Sequence, residues 1–170
     1  MSHELSIQSP KGYQLLLSYA FSLLARKGYS EFEFRRKFKV KAARLKLEEP
    51  DEAIDRVIDK LKELGYLNDE ELARNYLTYT VPGKPQGRGR FMAAMYRRGI
   101  DRDLAVRLWD AEEVDEEELA RKVLNSYLPR WSRLESNSRK RKAQGLLLRR
   151  GFNPGIVWRL IATLDSSVDS

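Results

Sequence analysis

NDEELARNYLTYTVP (68–82) aligns without a gap to DEEELARKVLNSYLP (115–129), and seven of the fifteen positions are identical. Glu70, Glu71, Leu72, Ala73, Arg74, Leu77 and Pro82 recur as Glu117, Glu118, Leu119, Ala120, Arg121, Leu124 and Pro129. Each copy opens with acids, where carboxylates meet the positive end of a helix dipole. Leu72, Ala73, Tyr76 and Leu77 then return at the spacing of one helical face. The closing proline, which cannot donate an i→i−4 hydrogen bond, is expected to end each helix.

The repetition extends downstream. MYRRGID (95–101) matches LLRRGFN (147–153), each a basic helix end followed by a glycine and then by Asp101 or Asn153 as the cap of another helix. ARKGYS (25–30) is a third, divergent echo, with its glycine between the first and second helices. One unit is therefore an acidic-start helix, a basic helix, a glycine turn and a closing apolar helix (Leu104, Leu108, Trp109; Ile156, Leu160, Ile161). Three such helices bury little alone, so neighbouring units should share a core.

The 3.6-residue periodicity predicts helices near 13–27, 31–44, 51–64, 68–81, 88–98, 101–111, 115–128, 137–150 and 153–164. No stretch alternates with period two. The expected fold is all-α: three tandem three-helix repeats at 13–66, 67–112 and 113–164 in an elongated, curved array, with flexible termini at 1–12 and 165–170. Asp51 after Pro50 gives an acidic first turn, and Asn68 with Glu71 reads as a capping-box variant. Gly65, Gly99 and Gly151 fall where the chain must turn through positive φ.

Composition removes several classes of function. There is no cysteine, and the single histidine, His3, stands in an N-terminus expected to fray. Thiolate metal sites, disulfides and redox chemistry are thus excluded, and neither a cofactor nor a metal is expected. The longest apolar cluster, Tyr13–Ala25, is broken by Gln14, Ser18 and Ser22, which suits a mostly buried helix. Without a membrane segment or signal-peptide pattern, a cytoplasmic protein is expected.

Thirty-two Lys and Arg against 25 acids leave a formal charge of +7, which favours an anionic partner. The excess is segregated. Arg88, Arg90, Arg97 and Arg98 occupy 86–98 without an acid, and 130–150 carries Arg130, Arg133, Arg139, Lys140, Arg141, Lys142, Arg149 and Arg150 against Glu135 alone. Arg90 and Arg97 share a helix face and have Lys142 and Arg149 as repeat equivalents, while Phe91, Met95, Ala143 and Leu147 should point into the core. A second basic run, Arg35 to Lys46, suits a lining of the same concave surface, a flexible arm or a solvated helix end. PGKPQGRGR (82–90) lacks the order of a phosphate loop and is expected to be a flexible connection. Tyr76, Tyr79, Tyr127, Trp109 and Trp158 are expected to fill the core, and Trp131, beside Arg130 and Arg133, to be available for base stacking. No nucleophile–base pair is present, so catalysis is not expected.

Four segments in order, LLARKGYSEFEFRRKF, KLKELGYLNDEELARNYL, GRGRFMAAMYRRGI and SRKRKAQGLLLRRGF, resemble the RecX family over about residues 13–160. The resemblance implies three tandem three-helix repeats. It also implies a partner, the RecA filament on single- or double-stranded DNA, and an activity: restraint of strand exchange, ATP hydrolysis and co-protease function in DNA repair and the SOS response. On this basis the residues expected to meet nucleic acid or RecA are Arg88, Arg90, Arg97, Arg98, Arg130, Trp131, Arg133, Arg139, Lys140, Lys142, Arg149 and Arg150, on a monomer. The competing class is a sequence-specific, helix-turn-helix-like transcription regulator.

Overall fold

The computed structural model describes residues 10–164. His3 and the outermost terminal stretches lie outside the described residues. Nine helical segments, and no strand, occur among the described residues: α1 (Pro10–Leu24), α2 (Glu31–Leu45), α3 (Pro50–Glu63), α4 (Asp69–Asn75), α5 (Arg88–Arg97), α6 (Arg102–Ala111), α7 (Glu116–Tyr127), α8 (Ser136–Arg149) and α9 (Pro154–Ala162).

Local chemistry sets the starts of these helices. Ser30 and Glu33 form a full capping box on α2, which satisfies two amides that the helix itself cannot pair. Asn68, Asp101, Asp115 and Asn153 each accept from a first-turn amide, as their sequence positions predicted.

The prolines behave differently from expectation. Pro82 does not end α4, because the chain passes through a π-helical stretch, Tyr76–Thr80, into one more helical turn, Val81–Gly83. The Val81 amide bonds back to the Tyr76 carbonyl. The wider turn shifts the hydrogen-bond register just before the residue that has no amide proton to give. Pro129 likewise sits within a short 3₁₀ extension of α7, Leu128–Trp131, where a missing donor near a helix start costs little.

Among the described residues, 10–72 with Arg98–Ile100 form one compact unit, and 73–97 with 101–164 form a second. The core of the first unit is Leu16, Ala20 and Leu23 of α1, Phe34 and Phe38 of α2, and Ile54, Val57, Ile58 and Leu61 of α3. The Phe34 and Phe38 rings stack at 5.2 Å between centroids. Leu15 and Phe21 remain exposed, so α1 buries a narrower stripe than its composition suggested. In the second unit Phe91, Met95, Ala143 and Leu147 are buried as predicted, and Phe91 packs against the rings of Tyr76 and Trp109.

One arrangement occurs in both units. In the first, the Ser30 hydroxyl donates to the Arg98 carbonyl, Asp69 accepts from the Glu31 amide at 3.0 Å, and the Arg98 guanidinium donates to the Gly28 carbonyl at 2.9 Å. In the second, the Gly87 amide donates to the Arg150 carbonyl at 2.9 Å, Glu116 accepts from the Arg88 amide at 3.2 Å, and the Arg150 guanidinium donates to the Pro85 carbonyl at 3.0 Å. A glycine turn thus lies on the N-terminus of a helix in each case. PGKPQGRGR is therefore a pinned segment, not the flexible connection expected, since Gly87 and Gly89 both donate to the backbone across this seam.

The turn glycines have φ near +75° at Gly65, +68° at Gly99 and +78° at Gly151. They differ in their surroundings. A Cβ at Gly65 would meet nothing within 4 Å, whereas one at Gly151 would lie 2.2 Å from the Arg90 amide nitrogen. Gly65→Ala should therefore cost about 1 kcal/mol, for the left-handed backbone alone. Gly151→Ala adds a backbone overlap that no side-chain rotation relieves, and should cost roughly 3 kcal/mol or more. Denaturant unfolding of the two variants checks this; equal losses would show that the seam yields easily.

Candidate functional site

The basic side chains named above separate into those that fold the chain and those that face outward. Arg98 belongs to the first group. Its guanidinium bonds the Glu33 carboxylate at 2.8 Å and the Gly28 carbonyl, and its side chain is only 20% exposed. Burial works to raise the Glu33 carboxyl, but the Ser30 amide and the Arg98 guanidinium outweigh it and hold the group below its ordinary range. Asp69, on the same seam, is pushed up by burial, which its bond from the Glu31 amide only partly offsets.

Arg150 is the counterpart of Arg98 and is likewise committed, to the Pro85 carbonyl and to the face of Tyr127. Arg88 pairs with Asp110 at 3.2 Å. Arg130 lies over the other partner of this cluster, Tyr127, at 5.3 Å, and Trp131 packs on the same ring, half-buried. Lys140 is half-buried and already engaged. Arg139 is half-buried with its Nε enclosed and without a hydrogen-bond partner. Arg133 is exposed.

Arg90, Arg97, Lys142 and Arg149 form the second group. All four are exposed, and none pairs with a carboxylate among the described residues. Arg90 and Arg97 lie on α5, and Lys142 and Arg149 at the matching places on α8. Each helix holds its charges outward by burying the opposite side, through Phe91, Ala94 and Met95 on α5 and through Ala143 and Leu147 on α8. The helix supports the charge; the seam fixes where the helix begins.

Arg90 and Arg97 also line a recess of about 560 Å³ in the second unit. Tyr76, Gln86, Lys84, Lys122, Ser126 and Arg150 complete most of its wall, and no carboxylate lines it. Lys84 and Lys122 were not singled out in the sequence; Lys122 replaces Asn75 in the repeat and follows the acidic run 115–118, outside the basic segments.

Two further sequence expectations need correction. Tyr79 and Trp158 are 73% and 60% exposed instead of core. The π-helical register carries Tyr79 off the buried face, and Trp158 falls outside the stripe formed by Val157, Leu160 and Ile161. The Arg35–Lys46 run is not an arm: it is mostly α2, where Arg35 bonds Glu31 and Asp55. No group of three acidic, His or Cys side chains suited to a metal occurs among the described residues. No described helix is long and apolar enough to cross a membrane.

The family model for the RecX third three-helix domain matches residues 115–161. Regulatory protein RecX of Deinococcus radiodurans is 32% identical over 154 residues, covering 87% of this chain and 67% of the relative. Regulatory protein RecX of Haemophilus influenzae is 30% identical over 156 residues, covering 91% and 98%. The chain belongs to the RecX family. A crystal structure of RecX from Lactobacillus salivarius superposes with a TM-score of 0.71 over 92% of this chain and 96% of the other, at 23% identity, which shows the shared fold. A second RecX crystal structure gives a TM-score of 0.73 at 19% identity, covering 89% of this chain and 73% of that one. RecX proteins are regulatory, and this chain has a RecX regulatory role.

Arg98→Ala should cost about 2 kcal/mol at neutral pH, because it leaves the Glu33 carboxylate half-buried without its counter-ion. The sign with pH follows from the depressed pKa of Glu33: its contribution is complete above the ordinary carboxylate range and is lost as pH falls through the folded value. The gap between wild type and variant should therefore narrow in acid. Urea unfolding at several pH values measures it, and a gap constant with pH would assign the loss to packing alone.

Proposed function

We propose that this protein binds RecA filaments on DNA and restrains their strand exchange, ATP hydrolysis and co-protease activity, without catalysing a reaction itself. The supporting observation is the pair of outward, uncompensated cations at equivalent positions on α5 and α8: Arg90 with Arg97, and Lys142 with Arg149. A polymeric anionic target presents charge at regular intervals, so cations that recur with a structural repeat can engage it together, each modest contact raising the effective concentration for the next. Release of counter-ions from the nucleic acid supplies much of the free energy.

Nine of the twelve residues named from the sequence take distinct parts in this proposal. Arg90, Arg97, Lys142 and Arg149 carry the interaction, with Arg133 and Trp131 as flanking contacts. Arg98 and Arg150 act by holding the helices in place, and Arg88 is partly neutralised by Asp110. We assign the helices to repeats at 13–66, 67–112 and 113–164, and the protein acts in the cytoplasm as a monomer. A transcription regulator of the helix-turn-helix type receives less support: α9, in the place of a recognition helix, begins Pro154–Gly155–Ile156 and offers no polar side chain there to read a base.

The double variant Arg97→Glu, Arg149→Glu should fold normally, since both side chains are exposed, and should need at least about tenfold more protein to inhibit RecA ATP hydrolysis. Wild-type inhibition should weaken steeply with added salt. Unchanged potency of the double variant would remove these residues from the interface.

A further inference from the structure

We infer that the recess between the π-helical stretch Tyr76–Thr80, α5 and α7 is a phosphate seat for an unpaired nucleic-acid strand, formed by Lys84, Arg90, Arg97 and Lys122 with the Tyr76 hydroxyl, and that through it the protein grips single strands in preference to duplex. The inference rests on the proposal that an anionic polymer is the partner, and goes beyond it by naming which cations take backbone phosphate, from which form of nucleic acid, in the absence of any partner protein.

Charge is the first support. Lys84, Arg90, Arg97 and Lys122 line one recess, pair with no acid among the described residues, and are joined there by no carboxylate. Like charges gathered in a concave site repel one another and focus a positive potential into it. An anion entering the recess relieves that repulsion.

Shape is the second. A volume of about 560 Å³ is that of a site for one drug-sized group, on the order of one or two nucleotides. Duplex DNA is stiff over about 150 base pairs and carries its phosphates on the outside of a rod, so it can touch the rim but cannot bend into the recess. A single strand is flexible enough to enter, and proteins that hold such strands combine a basic groove with aromatic groups.

Spacing separates a strand from a free nucleotide. Arg90 and Arg97 are two helical turns apart, roughly 10 Å along the axis of α5. Lys122 approaches from α7 and Lys84 from the segment before α5. Donors spread in this way suit phosphates on successive nucleotides, whereas the adjoining phosphoryl groups of a nucleoside triphosphate would be served by donors converging on one point. Tyr76 adds a neutral donor: its hydroxyl already accepts from the buried Gln86 side chain at 2.9 Å, which leaves its own proton to give.

Fluorescence anisotropy of the full chain, without RecA, tests the inference with a labelled 20-nucleotide poly(dT) strand and a duplex of equal length. Wild type should bind the strand more tightly. Lys84→Glu, Lys122→Glu should lose about tenfold or more in affinity for the strand, lower its log–log salt slope by roughly 0.7 per lost contact, and leave duplex binding within about twofold. Arg36→Glu, Lys39→Glu, exposed on α2 and outside the recess, should leave binding of the strand within about twofold. In wild type, the strand should shield Lys84 and Lys122 from an amine-reactive reagent, a readout that survives if the double variant folds poorly. Parallel loss of strand and duplex binding, absence of shielding, or displacement of the strand by a stoichiometric amount of nucleoside triphosphate would each overturn the inference. The functional proposal fails separately: filament inhibition insensitive to Arg97→Glu, Arg149→Glu would end it, while a failed recess beside salt-sensitive inhibition would leave it standing.

Discussion

Two backbones touch at the seam between a glycine turn and the start of a neighbouring helix, and the remaining architecture is arranged around that contact. In the second unit the Arg150 carbonyl accepts from Gly87 and the Gly151 carbonyl from Gly89, at 2.9 Å each. Glu116 closes the same junction by accepting from Arg88 and from Asn153, so one carboxylate satisfies amides at the starts of both α5 and α9. Amides at helix starts have no partner inside their own helix. Spending them on the seam couples the position of α5 to that of the turn after α8, with little dependence on side-chain packing.

This coupling decides what the basic residues can do. A helix whose first turn is fixed in rotation and height has all its later side chains fixed as well, to within rotamer freedom. Arg90 stands at the seam itself, against Gly151, and Arg97 about two turns further on, so both inherit their direction from it. The apolar side of α5, Phe91 with Met95, completes the constraint by filling the core. Positive charge that would otherwise sample many directions is presented along one line, which lowers the ordering cost of meeting a regularly charged partner.

Helix positions, capping residues, positive-φ glycines and the apolar faces were legible in the sequence because each depends on neighbours within about four residues. The seam was not. Nothing local in PGKPQGRGR shows that Gly87 and Gly89 bond residues more than sixty positions away, and the same glycines suit a mobile loop equally well. Tyr79 was misjudged because the helical period was extended through a π-helical stretch that changes it. Lys122 was missed because it follows an acidic run (115–118) and belongs to no basic cluster in the chain, and only the fold brings it to Arg90 and Arg97. The RecX resemblance added the partner, which no pattern of residues could have supplied.

The paired arginines before each glycine show why charge counting alone misleads. Adjacent helical residues point about 100° apart, so in Arg97–Arg98 and in Arg149–Arg150 the two guanidinium groups cannot share a direction. The second arginine of each pair stands where the helix ends and turns inward, to carbonyls at Gly28 and at Pro85. The first is left outside without an acid. Those loop carbonyls gain a charged donor, so the inward residue lowers the cost of the seam, and the chain retains in its outward partner a charge that pairs with no acid among the described residues.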